Sequence, residues 1–180
     1  MAIRKVARMG HPVLRQVARP VTEEELEGPD IGLLIGDMID TVRDYEGAGL
    51  AATQVHDPRR VMLVRVSDEE EGGGQVLALI NPEMRPIGES RSEDWEGCLS
   101  IPDIRGRVSR WDAVAVDAVD TSGAPVSFDA RGFAARAIQH EIDHLDGILF
   151  LDRMDDLRSL SFIEEYARFA QDPASQETDP

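Results

Sequence analysis

The residues best suited to chemistry lie at 139–147, where the chain reads Gln-His-Glu-Ile-Asp-His-Leu-Asp-Gly. His140 and His144 are four residues apart, so on an α-helix both imidazoles lie on one face and can reach the same metal ion. Glu141 would then act on a water beside that ion rather than on the ion itself. The pattern predicts a hydrolytic metal site, and its remaining ligand must come from elsewhere in the chain.

The alternative is a polar helix face whose histidines make ordinary hydrogen bonds. This His-Glu-x-x-His pattern arises by chance in about one chain in a hundred of this composition, which weakens that alternative. The flanking residues favour a helix over about 132–146, because apolar residues recur at three- and four-residue spacing and Gly147 suits a C-terminal stop. The apolar residues are Phe133, Ala137, Ile138 and Leu145.

The composition is that of a globular protein. The chain has 180 residues, of which 42% are hydrophobic and 30% charged, enough to bury a core within one domain over 1–170. Residues 171–180 are polar and are expected to form a flexible acidic tail. No apolar run approaches the roughly 20 residues that cross a membrane, and the N-terminus lacks the apolar core of a signal peptide. We therefore expect a cytoplasmic protein with no membrane partner.

The charge of the chain bears on its partners. The formal net charge is −16. Phosphate backbones attract Lys and Arg, so we expect no direct binding to nucleic acid.

Cys98 is the only cysteine, so no disulfide within the chain can form. Taken alone, it is most simply a small buried apolar residue. It lies at 96–100, between two predicted strands, where a thiolate would complete a set of two His and one Cys. Three protein ligands with an open position are typical of catalytic sites, whereas structural zinc sites usually take a fourth Cys or His. The spare histidines, His11 and His56, show no suggestive spacing.

The order of predicted elements indicates an α+β fold, with antiparallel β-sheets packed around the central His-bearing helix. An N-terminal helix is predicted over 30–46, capped by Asp30 and ended by Gly47. A C-terminal helix is predicted near 156–170 from an apolar stripe. Strands are predicted at 61–66, 76–80, 85–94, 104–111, 113–120 and 126–130. The second strand is expected to end at Asn81-Pro82, and the acidic segment 67–74 to form a mobile hairpin loop.

Three motifs resemble, in family order, the signatures of the peptide deformylases. They are Gly-Ala-Gly-Leu-Ala-Ala-Thr-Gln at 47–54, Glu-Gly-Cys-Leu-Ser at 96–100 and Gln-His-Glu-Ile-Asp-His at 139–144. The similarity extends over most of residues 1–155. Three separated motifs in order are far more specific than a lone His-Glu-x-x-His. The resemblance implies a metal-dependent hydrolase of a linear amide, which removes the N-formyl group from the initiator methionine of new bacterial chains.

The resemblance also implies a ligand set and a base. Cys98, His140 and His144 would hold one divalent ion, which is Fe(2+) in the native family enzymes. Zn(2+), Ni(2+) or Co(2+) would fit the same thiolate and imidazoles, so the sequence does not select the metal. Water activated by the ion would attack the formyl carbonyl, and Glu141 would carry its proton to the departing amine.

Further roles follow from the same resemblance. The Gln54 side chain and the Leu99 backbone N–H would donate to the oxyanion, and Gly49 would offer its backbone to a substrate that adds like a strand. The candidate walls of the methionine pocket, any of which could be ordinary core, are Ala48, Leu99, Phe133 and Ala137.

Neighbouring charged residues are expected to support these groups. Asp143 would orient a neighbour rather than bind metal. Glu96 would pair with Arg105 or Arg110, or all three would be surface charges.

The sequence departs from the usual family pattern near two motifs. Val55-His56 follows Gln54 where Ile-Gly is usual, and Asp94-Trp95 precedes Glu96, but neither change removes a catalytic group. Some members dock on the ribosome through a basic C-terminal helix, whereas residues 151–180 hold eight Asp or Glu and three Arg. We therefore expect at most a transient association with the ribosome. The expected partners are N-formylmethionyl peptides and nascent chains.

Two other functions fit parts of the sequence. A metallopeptidase cutting internal peptide bonds is suggested by His-Glu-x-x-His alone, but such enzymes usually take a carboxylate or a third His as the last ligand. A non-catalytic metal-binding or redox-sensing protein would use Cys98 as its oxidisable group. That protein would need neither Gln54 nor Glu141. Assays with formylated and unformylated peptides separate these functions.

Overall fold

The computed structural model describes residues 2–66 and 75–170. The loop predicted at 67–74 and the tail predicted at 171–180 lie outside the described residues. The helices are α1 (Glu23–Glu27), α2 (Pro29–Asp44), α3 (Gly132–Leu145) and α4 (Ile163–Glu165). Short 3-10 helices span Pro12–Arg15, Ala52–Val55 and Phe150–Arg153, and a π-helical turn spans Tyr166–Ala170. The strands are β1 (Gly49–Ala51), β2 (Val61–Val66), β3 (Gln75–Pro86), β4 (Arg91–Cys98), β5 (Ile101–Trp111), β6 (Ala113–Val119), β7 (Pro125–Arg131) and β8 (Ser161–Phe162).

These strands form two antiparallel sheets on either side of α3. The five-stranded sheet has the order β1-β2-β3-β6-β7, and the three-stranded sheet has the order β4-β5-β8. The apolar side of α3 packs on the larger sheet through Ile138 and Ile142. Its polar side reaches the smaller sheet, where Arg136 bonds with β4 and β5. The predicted α+β architecture around the His-bearing helix is confirmed.

β2 is buried on both faces because a helix covers each side of its sheet. Met62 and Val64 belong to the core formed with α3, whereas Val61 and Leu63 belong to the core formed with α2. A strand covered on both faces has no polar alternation, which explains the continuous apolar run that predicted a strand at 61–66. This double coverage places α3 against β2, next to the edge strand β1.

α3 ends within one residue of its predicted end at 146. The helix stops at Leu145, and Gly147 adopts a left-handed φ of +75°. A Cβ at Gly147 would lie 2.9 Å from the carbonyl carbon and oxygen of Arg15. Glycine is therefore required here both by conformation and by the close approach of the N-terminal segment.

α2 differs from its prediction at both ends. Its N-cap is Gly28, and Pro29 occupies the first helical position, where a missing N–H costs no hydrogen bond. The predicted cap, Asp30, lies inside the first turn. The helix ends at Asp44, three residues before the predicted stop at Gly47.

β3 continues past the predicted stop at Asn81-Pro82 and ends at Pro86. A register shift between Ile80 and Glu83 takes up these two residues, and Asn81 has a positive φ of 51°. The Asn81 side chain accepts from the N–H of Val21 at 2.8 Å and donates to its carbonyl at 2.9 Å. The prediction was wrong because a bulge lets the strand absorb a proline that would otherwise end it.

The C-terminal helix is shorter than the predicted span of 156–170. Phe162 and Ser161 pair with β5 opposite Ile104 and Arg105, so helical backbone begins only at Ile163. The apolar residues that predicted one helical stripe are largely exposed, including Leu157 and Phe169. Over the described residues, no helix is both long and apolar enough to span a bilayer.

Candidate metal centre

His140 and His144 project from α3 toward the end of β4, where Cys98 lies. The two imidazole centroids are 4.9 Å apart, and Cys98 Sγ lies 3.1 Å from Nε2 of His144. The ligand atoms of all three residues lie within 4.8 Å of one another. Among the described residues, this is the one group of three or more His, Cys, Asp or Glu so arranged. The structure thus brings the three predicted ligands together.

Cys98 faces the helix because the β4–β5 hairpin changes register at its end. Cys98 pairs with Ile101, and the register shifts between Gly97 and Cys98. Such a shift re-aims a side chain relative to a regular strand. The N–H of Ser100 then donates to Cys98 Sγ at 3.3 Å and holds the sulfur in place.

The donor set fits a divalent transition metal. A thiolate and two imidazoles are ligands that iron, zinc, nickel and cobalt accept, and three protein donors leave a position open for water or substrate. Nδ1 of His140 lies 3.0 Å from Glu96 Oε2 and is engaged in that hydrogen bond. The other ring nitrogen, Nε2, therefore remains available to a metal. The site therefore already has the ligand orientation that metal binding needs.

Burial and hydrogen bonding act on the two histidines differently. Burial lowers the pKa of His144 well below its ordinary value, which keeps the neutral form that binds metals. Burial also lowers the pKa of His140, but hydrogen bonds to Cys98 and Glu96 outweigh it and raise the pKa well above its ordinary value. A metal binds the neutral form of histidine, so any proton on His140 would leave when a metal binds.

Glu141 is buried beside β1, next to the candidate ligands. A Cβ at Gly49 would lie 2.4 Å from Glu141 Oε1, so the carboxylate occupies the space that glycine leaves. Burial raises the pKa of Glu141 to about 7, while the charges of His140 and Arg110 act in the opposite direction. Oε2 of Glu141 has no hydrogen-bond partner within the described residues. A carboxylate with a pKa near neutral and a free oxygen is suited to accept and return a proton.

Gln54 lies in the 3-10 helix after β1, with its amide directed at the Cys98 turn. Its Oε1 accepts from the N–H of Ala51 at 2.8 Å, which fixes the amide orientation. Its Nε2 donates to Ser100 Oγ at 3.2 Å and lies 3.7 Å from Cys98 Sγ. An oriented N–H donor is therefore held beside the candidate metal position.

Glu96 pairs with Arg110 rather than with Arg105. Both residues are buried, and Arg110 donates to the two Glu96 oxygens at 2.9 and 3.0 Å. Arg110 also bonds with Asp143, which in turn pairs with Arg153. The Arg105 guanidinium instead lies over the ring of Tyr166, 5.4 Å from its centroid. Asp143 therefore contacts arginines, and the alternative of three surface charges is wrong.

Arg136, which none of the three sequence motifs includes, also bonds to Glu96. The side chain donates from Nη1 to Glu96 Oε1 at 2.8 Å and is almost fully buried. The one available signal was its position four residues before His140, on the same face of α3. A charged residue on the buried side of a helix requires a partner, and nothing in the sequence identified Glu96 as that partner.

The predicted substrate-binding residues occupy different environments. Gly49 lies in β1 at the edge of the larger sheet, and Ala48 precedes it as an exposed residue. Phe133 is 62% exposed in the first turn of α3. Ala137 is buried in the core shared with the larger sheet. Their roles remain predictions.

Comparison with known proteins agrees with this geometry. The model of the polypeptide deformylase family matches residues 3–159. A protein of Prochlorococcus marinus (strain MIT 9313) named peptide deformylase 1 is 44% identical over 92% of this chain and 88% of its own length. The crystal structure of peptide deformylase from Thermotoga maritima has a TM-score of 0.79 at 35% identity, covering 87% of this chain and all of the other.

A further solved structure is that of a class I type b peptide deformylase from Acinetobacter baumannii bound to Met-Ala-Ser. It has a TM-score of 0.78 at 35% identity and covers 84% of this chain and 98% of the other. The family match thus spans all three motifs and the strands from β1 to β7. This chain belongs to the polypeptide deformylase family, the metal-dependent hydrolases that remove the N-formyl group from nascent peptides.

Proposed function

We propose that this chain deformylates N-terminal formylmethionine at the site formed by Cys98, His140 and His144, with Glu141 and Gln54 beside it. The observation that carries this assignment is the convergence of three metal-type donors, one carboxylate and one oriented amide at the end of β4. A non-catalytic metal site would need neither the carboxylate nor the amide. Residues 1–170 are proposed to act together as one catalytic domain.

The proposed cofactor is one divalent ion, with Fe(2+) as the first candidate and Zn(2+), Ni(2+) or Co(2+) as alternatives. When bound, such an ion would polarise the formyl carbonyl and make water a stronger nucleophile. Cys98 and the two histidines would hold it, and Glu96 keeps His140 oriented for that task through the 3.0 Å contact at Nδ1.

Glu141 is proposed to move the proton in the reaction. Water adds its oxygen to the formyl carbon, and Glu141 accepts the proton that the water releases. When the bond between the formyl carbon and the methionine nitrogen breaks, Glu141 returns that proton to the nitrogen. The products are formate and a peptide with a free amino terminus. The unpartnered Oε2 and the pKa of about 7 support this shuttle.

Gln54 and Leu99 are proposed to stabilise the negative charge on the formyl oxygen. The Gln54 amide is held in place before substrate arrives, because Oε1 is fixed by Ala51 and Nε2 is directed toward the Cys98 turn. Donors oriented in advance cost no reorganisation when charge develops. The backbone N–H of Leu99, next to Cys98, is the second proposed donor.

The peptide is proposed to lie along β1, with Gly49 offering its backbone. β1 is an edge strand of the larger sheet, so within the described residues no second strand pairs with its outer side, where an added strand could bind. The methionine side chain would contact Ala48, Phe133 and Ala137. The Acinetobacter baumannii enzyme bound to Met-Ala-Ser supports a substrate of this kind. The proposed substrates are N-formylmethionyl nascent chains in the cytoplasm, with ribosome contact only transient because the C-terminal residues are acidic.

The test is formate release from formyl-Met-Ala-Ser by anaerobically purified protein, since an iron–thiolate centre is sensitive to oxidation. Elemental analysis of the same sample identifies the metal. Glu141→Ala should retain the metal and lose most activity, whereas Cys98→Ala should lose metal. Full activity in the first variant would refute the proton shuttle, and unchanged metal in the second would remove Cys98 from the ligands. Cleavage of internal bonds in unformylated peptides would instead indicate a metallopeptidase.

A further inference from the structure

We propose that Arg136 is a positioning residue for the metal centre, acting through Glu96 on His140 and on the strand that carries Cys98. The inference rests on the proposed role of His140 as a metal ligand. One buried arginine thereby fixes the distance and orientation between the two elements that supply the ligands.

Arg136 and His140 share one carboxylate. The two residues are four apart on α3, so their side chains lie on one face, one turn from each other. Arg136 Nη1 donates to Glu96 Oε1 at 2.8 Å, and His140 Nδ1 lies 3.0 Å from Glu96 Oε2. The helix therefore holds both oxygens of Glu96, and the position of that carboxylate determines the plane of the His140 ring.

The same guanidinium joins α3 to both strands of the β4–β5 hairpin. Nη1 also donates to the Val108 carbonyl on β5 at 2.8 Å, and Nη2 donates to the Ser92 carbonyl on β4 at 2.8 Å. β4 ends at Cys98. Arg136 thus connects the helix with the two histidine ligands to the strand with the cysteine ligand, through three acceptors on that hairpin.

Arg110 alone does not fully pair the charge of Glu96, so Arg136 is also needed. Arg110 is shared between two buried carboxylates, Glu96 and Asp143. Asp143 has a second arginine in Arg153, whose side chain is 46% exposed, whereas the second arginine of Glu96 is Arg136, whose side chain is 9% exposed. A buried carboxylate needs full pairing to remain in place, so Glu96 depends on Arg136 for its orientation.

The Glu96 carboxylate accepts four hydrogen bonds. Oε1 accepts from Arg110 and Arg136, and Oε2 accepts from Arg110 and His140. This is the full acceptor capacity of an ionised carboxylate. Loss of Arg136 would leave Oε1 with one donor and would let the carboxylate rotate away from His140.

The experiment compares Arg136→Met with Arg153→Met, which removes an arginine of the same network that does not contact Glu96. Each protein is loaded with Zn²⁺, and release of the ion to a chromogenic chelator is timed. The visible spectrum of the Co²⁺-loaded protein reports ligand geometry, and urea unfolding reports stability. A merely structural role of Arg136 would lower the unfolding midpoint without changing the release rate or the spectrum.

We expect Arg136→Met to weaken Zn²⁺ binding at least tenfold and to alter the Co²⁺ spectrum, in line with the 10- to 100-fold effect of outer hydrogen-bond partners. The Zn²⁺ affinity of Arg153→Met should stay within about twofold of that of the unmodified protein, because the Arg153 side chain is partly exposed and pairs with Asp143 instead of Glu96. Arg136→Lys keeps the charge but cannot reach all three acceptors, so it should weaken binding a few-fold. If Arg136→Met does not fold, Arg136→Lys decides by the same measurement.

Unchanged Zn²⁺ release and an unchanged Co²⁺ spectrum in the folded Arg136 variant would overturn the inference. Equal losses in the Arg136 and Arg153 variants would overturn it too, because the effect would belong to the network as a whole. Failure of the unmodified protein to bind either ion would contradict both this inference and the proposed function. Normal binding and deformylation in the unmodified protein, with no effect of Arg136→Met, would contradict this inference alone.

Discussion

Gly49→Ala should disable the proposed base without touching it chemically. A Cβ at residue 49 would lie 2.4 Å from Oε1, 2.7 Å from Cγ and 2.8 Å from Cδ of Glu141. Ordinary van der Waals contact begins at 3.4 Å. The backbone of Gly49 has no positive φ, so alanine itself suits the strand. The steric overlap with Glu141 is therefore the main consequence of the substitution.

The size of the expected effect follows from that overlap. Oε1 must move by about 1 Å to reach ordinary contact, and a proton acceptor must lie within about 3 Å of the group it deprotonates. Misplacement of a reacting group by about 1 Å can cost a hundredfold in rate. We expect kcat/KM for formyl-Met-Ala-Ser to fall about a hundredfold. Metal content should not change, since the three atoms nearest to the added Cβ all belong to Glu141, which is not a proposed ligand.

Gly32→Ala is the matched control. A Cβ at Gly32 meets no atom within 4 Å, and the residue lies inside α2. Alanine at an open helical position raises stability by up to about 1 kcal/mol. This variant should therefore unfold at higher urea concentration and retain full deformylase activity.

A double-mutant cycle identifies the route of the effect. In a Glu141→Ala background the added methyl group meets no carboxylate, so Gly49→Ala should change the residual rate by no more than about threefold. A Gly49→Ala enzyme within about threefold of the unmodified rate would refute the steric argument. An equal hundredfold loss in both backgrounds would show that Gly49 acts through the substrate backbone instead.

Three further variants test other parts of the site and fold. Gln54→Ala should lower kcat about a hundredfold at saturating formyl peptide with unchanged metal content, as expected for loss of an oxyanion donor. Gly147→Ala must strain a φ of +75° and displace the Arg15 backbone, whereas Gly123→Ala strains a φ of +84° in open space. Urea unfolding should show a loss of about 1 kcal/mol for Gly123→Ala and a larger loss for Gly147→Ala. In the metal-free protein, burial raises the pKa of Glu141 from 4.5 to about 7, so the folded state binds more protons between these pH values. The contribution of Glu141 to the free energy of unfolding should therefore fall by about 3 kcal/mol as pH rises through this range. Glu141→Gln should remove this pH dependence, which urea unfolding at several pH values measures.

The features predicted best are those whose signals are local. The spacing of His140 and His144 is a property of one helix, and the boundaries of α3 follow from its apolar periodicity and Gly147. The strand at 61–66 was predicted at its observed ends because its apolar run is unbroken. Each of these signals lies within a few residues of the feature that it predicts.

The errors arise where distant residues decide the local structure. Asn81-Pro82 is a typical strand ending, yet Asn81 bonds to Val21, 60 residues earlier, and the strand continues through a bulge. The apolar residues at 156–170 have helical spacing, but Ser161 and Phe162 pair with the edge of β5 as a short strand. No pattern within either segment indicates these partners.

The candidate metal centre likewise contains residues that local sequence patterns identify and one that they do not. The sequence motifs name the proposed ligands because chemistry restricts which residue types can bind a metal. They do not name Arg136, because the carboxylate that makes it useful lies 40 residues away on another strand. Its helical position shows that it shares a face with His140 but not what that face meets. If the metal-release experiment supports Arg136, the strength with which this enzyme holds its metal depends on a residue outside all three deformylase motifs.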